Sequence, residues 1–398
     1  STLKGTISMG HNRYSTTGSS SSKNIQPFYV KHKGKSLVVA HNGNFVNTAQ
    51  LHKELEKDGA IFQTTMDSEI VLHLIAKSKK KELSDIIIGA LSRIRGSYSM
   101  LLYVNDTLIA ARDPLGFRPM CLGRKENAWI VCSETCALDI IGAEYVRDVE
   151  PGEILFFRKG EEPLSIKPFA EKRRAHCIFE YIYFSRPDSN IFGHNVYKVR
   201  KALGERLADE SPAKADFVMP VPDSGNMAAL GLSERSGVKF EQAMVRNHYI
   251  GRTFIQPSQG IRDFRVKIKL NPIKDLLRDK DVIVVDDSIV RGTTSRARVR
   301  TIRDAGAKKI HMRISCPPIT CPCFYGVDFP TKKELIASGK QTEDIRKYID
   351  SDTLAYLSVD GMLEAMPLPR EHFCTACFTG CYPTSVPKRG SKLSIEKR

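Results

Sequence analysis

The chain has 398 residues, 41% of them hydrophobic and 27% charged, with 61 Lys and Arg against 45 Asp and Glu for a formal charge of +16. That length suggests about two domains and a core large enough to fold without staples, and the composition excludes a wholly disordered chain. No stretch approaches the roughly 18 apolar residues of a membrane span and no apolar h-region follows Ser-Thr-Leu-Lys-Gly, so no membrane partner is expected.

The first ~160 residues read as short strands joined by turns, with two helices between them. Leu37–Ala40 is an apolar run that ends in His41-Asn42-Gly43-Asn44, which is turn chemistry. Ile70, Val71, Leu74 and Ile75 share one face at helical spacing, with Asp67 and Ser68 as candidate caps. Lys77 and Lys79–Lys81 suit the negative end of that helix. A second helix is expected from about Lys81 to Ile94, ending at Gly96. Tyr98–Val104 and Leu108–Ala111 flank Asn105-Asp106, a hairpin signal, and Trp129–Cys132 and Glu153–Phe157 read as further strands. The charged, proline-containing stretch from Arg158 to Arg174 reads as a linker.

Beyond it the grammar becomes β-α-β. Phe217–Val221 and Val282–Val285 are apolar strands of the kind buried on both faces, a helix runs to Gly306, and Ile310–Ile314 is another strand. A doubly wound parallel sheet is expected. Within it Val282–Ser295 (VIVVDDSIVRGTTS) is the most informative segment. A strand delivers Asp286 and Asp287 at its C-terminal end, and Gly292-Thr293-Thr294-Ser295 then turns into a helix. Amides at a helix N-terminus, with hydroxyls beside them, suit a phosphate monoester. Adjacent carboxylates can hold ribose hydroxyls or a magnesium ion. The order of a Walker loop is absent.

This pattern resembles the fingerprint of type I phosphoribosyltransferases, which bind 5-phosphoribosyl-1-pyrophosphate (PRPP). The resemblance implies that Asp286 and Asp287 hold the ribose diol and magnesium, and that Gly292, Thr293, Thr294 and Ser295 hold the 5-phosphate. Asp223 and Ser224, in the Val221-Pro222-Asp223-Ser224 turn, would line the pyrophosphate side, with Ser224 also near magnesium. Arg246–Gln256, carrying Tyr249 and Arg252, suits a lid that closes over a polyanion. Together with Glu180–Ser189 (EYIYFSRPDS), the lid is similar to that of the glutamine PRPP amidotransferases, whose likeness runs along nearly the whole chain.

That resemblance implies an N-terminal-nucleophile glutaminase, an αββα sandwich, over residues 1–165 and an α/β phosphoribosyltransferase domain with a cluster-binding tail over residues 166–398. Gly10–Thr16 matches the motif for the glutamine carboxylate, with Arg13 as its guanidinium fork. Asn42 and Gly43 match the oxyanion hole, and Asp67 would bind the substrate's α-amine. The family's nucleophile is an N-terminal cysteine, whereas this chain begins at Ser1 and its first cysteine is Cys121. An N-terminally truncated first domain with an inactive glutaminase half is therefore expected.

The 10 cysteines are expected in a reducing cytoplasm, as metal ligands, catalytic groups or buried side chains. Cys374 and Cys377 form a C-x-x-C motif, and four such thiolates suit zinc or an iron–sulfur cluster. The resemblance to the Bacillus and vertebrate amidotransferases implies a structural [4Fe–4S] cluster on Cys177, Cys323, Cys374 and Cys377, with Cys316, Cys321 and Cys381 in reserve. Cys121, Cys132 and Cys136 read as buried small hydrophobes. The expected function is transfer of glutamine-derived ammonia to C1 of PRPP, with Mg2+ as cofactor, purine nucleotides as feedback inhibitors and a homotetrameric assembly. The alternative is a catalytically inactive PRPP-sensing regulator, but no nucleic-acid recognition module accompanies the basic charge. A sugar-isomerase partner domain, as in glucosamine-6-phosphate synthase, would lack VVDDSIVRGTTS.

Overall fold

The computed structural model describes residues 5–12, 21–170, 172–247, 270–329 and 331–387. Arg13, Tyr249 and Arg252 lie outside the described residues. The first part of the chain builds a six-stranded antiparallel sheet in the order β1-β2-β3-β4-β8-β9. Its strands are β1 (Phe28–His32), β2 (Lys35–Phe45), β3 (Gly96–Val104), β4 (Thr107–Arg112), β8 (Ile154–Phe157) and β9 (Leu164–Ile166). The small antiparallel sheet is β5 (Cys121–Lys125), flanked by β6 (Ala128–Cys132) and β7 (Glu144–Asp148).

Alternation along the strands separates two cores. Met100, Leu102 and Val104 of β3 face α1 (Thr48–Lys57), α2 (Glu69–Lys77) and α3 (Leu83–Leu91), joining Ile70, Leu74 and Ile87 in one buried cluster. Ala110 and Leu155 pack the other way, against Leu122 of the small sheet and Met120 and Val149 beside its strand ends. With α4 (Cys136–Ile141) against that small sheet, the layers run helix, sheet, sheet, helix.

The next part opens with three minor strands, β10 (His176–Cys177), β11 (Asn190–Ile191) and β12 (His194–Asn195), and helix α5 (Val196–Glu210). A four-stranded parallel sheet follows in the order β13-β16-β17-β18, from β13 (Phe217–Pro220), β16 (Asp281–Asp286), β17 (Lys309–Ile314) and β18 (Thr353–Tyr356). The run Val282–Val285 is almost wholly buried, as expected of a strand covered on both faces. Between β13 and β16 lie α6 (Asn226–Ser236), β14 (Met244–Arg246) and β15 (Leu270–Pro272), the last two paired antiparallel. Near the described end, β19 (Phe373–Cys374) pairs in parallel with β10. The core of this second part is one cluster, and Phe117 of the first part belongs to it.

The structure departs from the strand and helix expectations in several places, among them two helices that the sequence reading did not expect, α1 (Thr48–Lys57) and α4 (Cys136–Ile141). His41-Asn42-Gly43-Asn44 is not a turn, because β2 continues to Phe45 and pairs with β3 as far as Phe45 opposite Gly96. Neither Asp67 nor Ser68 caps α2, since Ser68 makes no capping bond and the Asp67 carboxylate accepts from Phe45 N at 2.9 Å instead. The second helix is shorter than expected, Leu83–Leu91, and Gly96 opens β3. The 158–174 stretch is not only a linker, because its residues 164–166 add an edge strand opposite Ile154–Phe156. Among the described residues no helix is long and apolar enough to cross a membrane.

Candidate functional site

Two sites and a thiol cage follow from this scaffold. The first site lies at the C-terminal ends of β13 and β16, where open parallel sheets present their loops to ligands. Asp286 ends β16 and is almost wholly buried, with Asp287 close behind it. Asp286 accepts from the amide of Asp287 at 3.1 Å and from Arg298 Nη1 at 2.5 Å. Burial pushes its carboxyl up to about 7, with the Arg298 cation pulling it down and the Asp287 charge pushing it further up. Ser288 Oγ donates to Asp287.

The loop then turns at Gly292 (φ +76°) into the 12-residue helix Thr293–Asp304. Thr293 and Thr294 are exposed at that N-terminus while Ser295 is buried, so free amides and two hydroxyls face outward where an anion binds best. The Val221–Gly225 loop is drawn against the same strand end, with Val221 N donating to Val285 O at 2.8 Å. Asp223 there is half-exposed and ion-paired with Arg246. The sequence thus placed Asp223, Ser224, Asp286, Asp287 and Gly292–Ser295 together, and the structure brings them to one edge. It missed Arg298 and Asn226, whose Oδ1 is buried without a partner among the described residues, because neither belongs to the local motif. The two carboxylates and the Ser224 hydroxyl are hard oxygen donors, and the poorly solvated charge of Asp286 fits a magnesium ion.

The second site lies at the end of β2 in the first part. Gly43 stands at φ +149°, and a β-carbon there would meet Ser97 O at 2.2 Å, so only glycine fits. His41 Nε2 contacts Ser97 O at 3.1 Å and its Nδ1 lies 3.5 Å from Asp67. Asn42, Gly43 and Asp67 therefore share one neighbourhood, with Asp67 held by Phe45 N and His41.

The cage joins four cysteines far apart in the chain. Parallel pairing of β10 with β19 sets Cys177 opposite Cys374. Cys177, Cys323, Cys374 and Cys377 are each 8% exposed. Burial pushes the Cys177 thiol up to about 12, with the Arg118 cation opposing it and the charges of Glu180 and Cys323 adding to it. Burial, the largest cause, also raises the Cys374 and Cys377 thiols, and each responds to the other cage cysteines. Tyr325 N donates to Cys323 Sγ at 3.3 Å, and the amides of Phe179 and Ala376 serve Cys177 and Cys374. Among the described residues no group of three or more His, Cys, Asp or Glu stands in position to hold a metal ion. The four buried thiols sit near enough to feel one another's charge, and thiolates are the donors an iron–sulfur cluster takes. Of the reserve thiols, Cys316 is buried, Cys321 half-buried and Cys381 exposed. Cys121 and Cys136 are buried as expected, but Cys132 is only partly so, and its Sγ touches Cys121 Sγ at 3.4 Å.

Comparison with known proteins identifies the family of the chain. Residues 11–139 match the glutamine amidotransferase domain family. Amidophosphoribosyltransferase 1, chloroplastic, of Arabidopsis thaliana is 51% identical over 383 residues, covering 96% of this chain and 67% of the relative. The amidophosphoribosyltransferase of Methanothermobacter thermautotrophicus is 48% identical over 387 residues, covering 97% and 81%. The chain belongs to the amidophosphoribosyltransferase family. Among solved amidophosphoribosyltransferase structures, the glutamine PRPP amidotransferase of B. subtilis complexed with ADP and GMP superposes with a TM-score of 0.89 at 45% identity. That match covers 97% of this chain and 85% of the other. The family architecture, a glutamine amidotransferase domain of the N-terminal-nucleophile type followed by a phosphoribosyltransferase domain with a parallel sheet, is the one described above.

Proposed function

We propose that this chain catalyses the first step of purine synthesis, transferring ammonia from glutamine to C1 of PRPP to give 5-phosphoribosylamine, pyrophosphate and glutamate. The observation that carries this reading is the pairing, in one family member, of the Asp286–Ser295 strand-loop-helix with a glutaminase-type sandwich. The domains divide near residue 166, where the last strand of the first sheet ends.

In this reading the Thr293–Ser295 amides and hydroxyls bind the 5-phosphate, Asp286 and Asp287 the ribose hydroxyls, and Asp223 and Ser224 the pyrophosphate side. Arg298 opposes protonation of the buried Asp286 carboxylate and fixes it in place. Magnesium, held with Ser224, Asp286 and Asp287 alongside, would neutralise pyrophosphate charge. Tyr249 and Arg252 belong to the lid, and catalysis is largely positioning of the two reactants with exclusion of water. In the glutaminase half Arg13 binds the glutamine carboxylate and Asp67 its α-amine. Asn42 and the Gly43 amide stabilise the oxyanion. Cys177, Cys323, Cys374 and Cys377 would hold a [4Fe–4S] cluster that fastens the C-terminal segment to the body. Purine nucleotides act as feedback inhibitors at or near the PRPP site; the B. subtilis structure named with ADP and GMP supports this. A homotetramer in the cytoplasm completes the proposal, and ten unpaired thiols suit a reducing compartment.

The test is pyrophosphate release from PRPP and magnesium under anaerobic conditions, with ammonium chloride or glutamine as donor and iron and sulfide assayed on the same sample. Turnover with ammonia that drops at least ~10-fold in Asp287→Asn, as loss of a charged hydrogen-bonding group requires, supports the assignment. A folded protein that binds PRPP without turnover with either donor would replace it with the sensing role. About four irons and four sulfides per chain would support the cluster, and zinc in their place would overturn it.

A further inference from the structure

Among the described residues, the oxyanion segment has a strand partner on one side. Strand β1 covers β2 no further than Val39, opposite Phe28, so, among the described residues, 40–45 have only β3 as a strand neighbour. The open side is closed by three other contacts. Gln26 Oε1 accepts from His41 N at 2.7 Å, Asp67 accepts from Phe45 N, and the third contact comes from the second domain. There Gly326, at φ +100°, lies so close that a β-carbon on it would stand 3.0 Å from both the carbonyl carbon and the oxygen of Gly43. One residue on, Asn44 Nδ2 donates to the carbonyl of Phe324 at 2.9 Å.

Both second-domain groups belong to the short segment Cys323–Val327, and that segment is itself fastened. Cys323 N donates to Phe329 O at 3.1 Å, and the Tyr325 ring stacks on Phe117 with centroids 4.2 Å apart. The Tyr325 hydroxyl meets Thr384 Oγ1 at 2.9 Å. Arg118, buried and ion-paired with Glu180 at 2.6 Å, fills the remaining space, 3.1 Å from the position a Gly326 β-carbon would take.

We propose that Cys323–Val327 is the rear wall of the glutamine site, with Gly326 and the Phe324 carbonyl as positioning groups that hold Gly43 and Asn44 and so aim the Asn42–Gly43 donors. The inference rests on the proposed oxyanion role of Asn42 and Gly43. An oxyanion hole works only when its donors stand at hydrogen-bonding distance from an atom that becomes charged in the transition state. Here part of what fixes that strand end comes from the transferase domain, through the Gly326–Gly43 approach and the Asn44–Phe324 hydrogen bond. The wall contributes no group to the PRPP site, so it acts on nitrogen release and not on nitrogen acceptance.

The test is made on the protein carrying the N-terminal cysteine nucleophile of its family, with Gly326→Ala, whose β-carbon must push Gly43 or Arg118 aside, and Asn44→Ala, which removes the cross-domain hydrogen bond to Phe324 together with a longer one to Phe45 O. Glutamine hydrolysis, ammonia-dependent pyrophosphate release and Tm are measured side by side. The expected result is a fall in kcat for glutamine of roughly 10-fold, the scale of a sub-ångström misplacement. KM for glutamine should change far less, because the lost interaction is made in the transition state, and ammonia-dependent turnover should stay at the parent level. If Gly326→Ala lowers Tm steeply, Asn44→Ala decides. The wall is overturned if both activities fall in the same proportion, or if a folded Asn44→Ala keeps the parent's kcat with glutamine. Asn42→Ala in the same assay separates the premise: unchanged glutamine turnover there would remove the oxyanion assignment whatever the wall does.

Discussion

Asp113 carries a clear pH signature outside the sites. It is wholly buried and accepts from the amides of Leu115 at 3.0 Å, Tyr98 at 3.1 Å and Phe117 at 3.2 Å. Burial outweighs those amides and the Arg112 charge, pushing the carboxyl from its ordinary 3.8 up to about 6. Between those two values the folded protein keeps a proton that the unfolded chain has released. The stability this group contributes is therefore complete below about pH 4 and lost as pH rises through about 6, by about 3 kcal/mol in all. Asp113→Asn cannot ionise and lacks that slope. Urea unfolding of parent and variant at pH 4 and pH 7 should show the parent losing ground to the variant across the interval, and a parent that gains would contradict this account.

Among the elements, the β3–β4 hairpin shows sequence dictating geometry directly. Its two connecting residues, Asn105 and Asp106, stand at φ +50° and +58°, the left-handed pair that matches strand twist. Asp106→Val should cost about 1–2 kcal/mol in unfolding free energy, because a β-branched residue fits that region poorly, whereas Asp106→Gly should be close to neutral. The same locality made Val282–Ser295 legible, since strand, carboxylates, glycine and helix start are consecutive. His41–Asn44 was misread in shape: Asn-Gly-Asn favours a turn on its own, but nine residues of β2 pair with β3 and hold it extended. Arg298 and the Cys323–Val327 wall could not be read at all. The wall reaches Asn44 across 280 positions of sequence, and no periodicity spans that distance.

At the scale of the whole molecule the two domains share buried chemistry. Arg118 and Glu180 form an ion pair with side chains 3% and 5% exposed, Ala175 and Cys177 donate to Leu115 and Phe117, and Glu134 accepts from Arg186 N and Ser189 Oγ. Arg118→Met should cost about 3–5 kcal/mol, because it strands the Glu180 carboxylate in the interior. Pairing it with Glu180→Leu should restore part of that loss, and denaturant melts of the single and double variants measure both. Phe117, carried by the glutaminase domain yet seated in the transferase core, has a wider consequence. A gene cut between the two halves would yield one product with a hole in its interior and another with a bare aromatic ring on its surface. The two halves are therefore inherited and lost together, and a calorimeter should record their melting as a single endotherm.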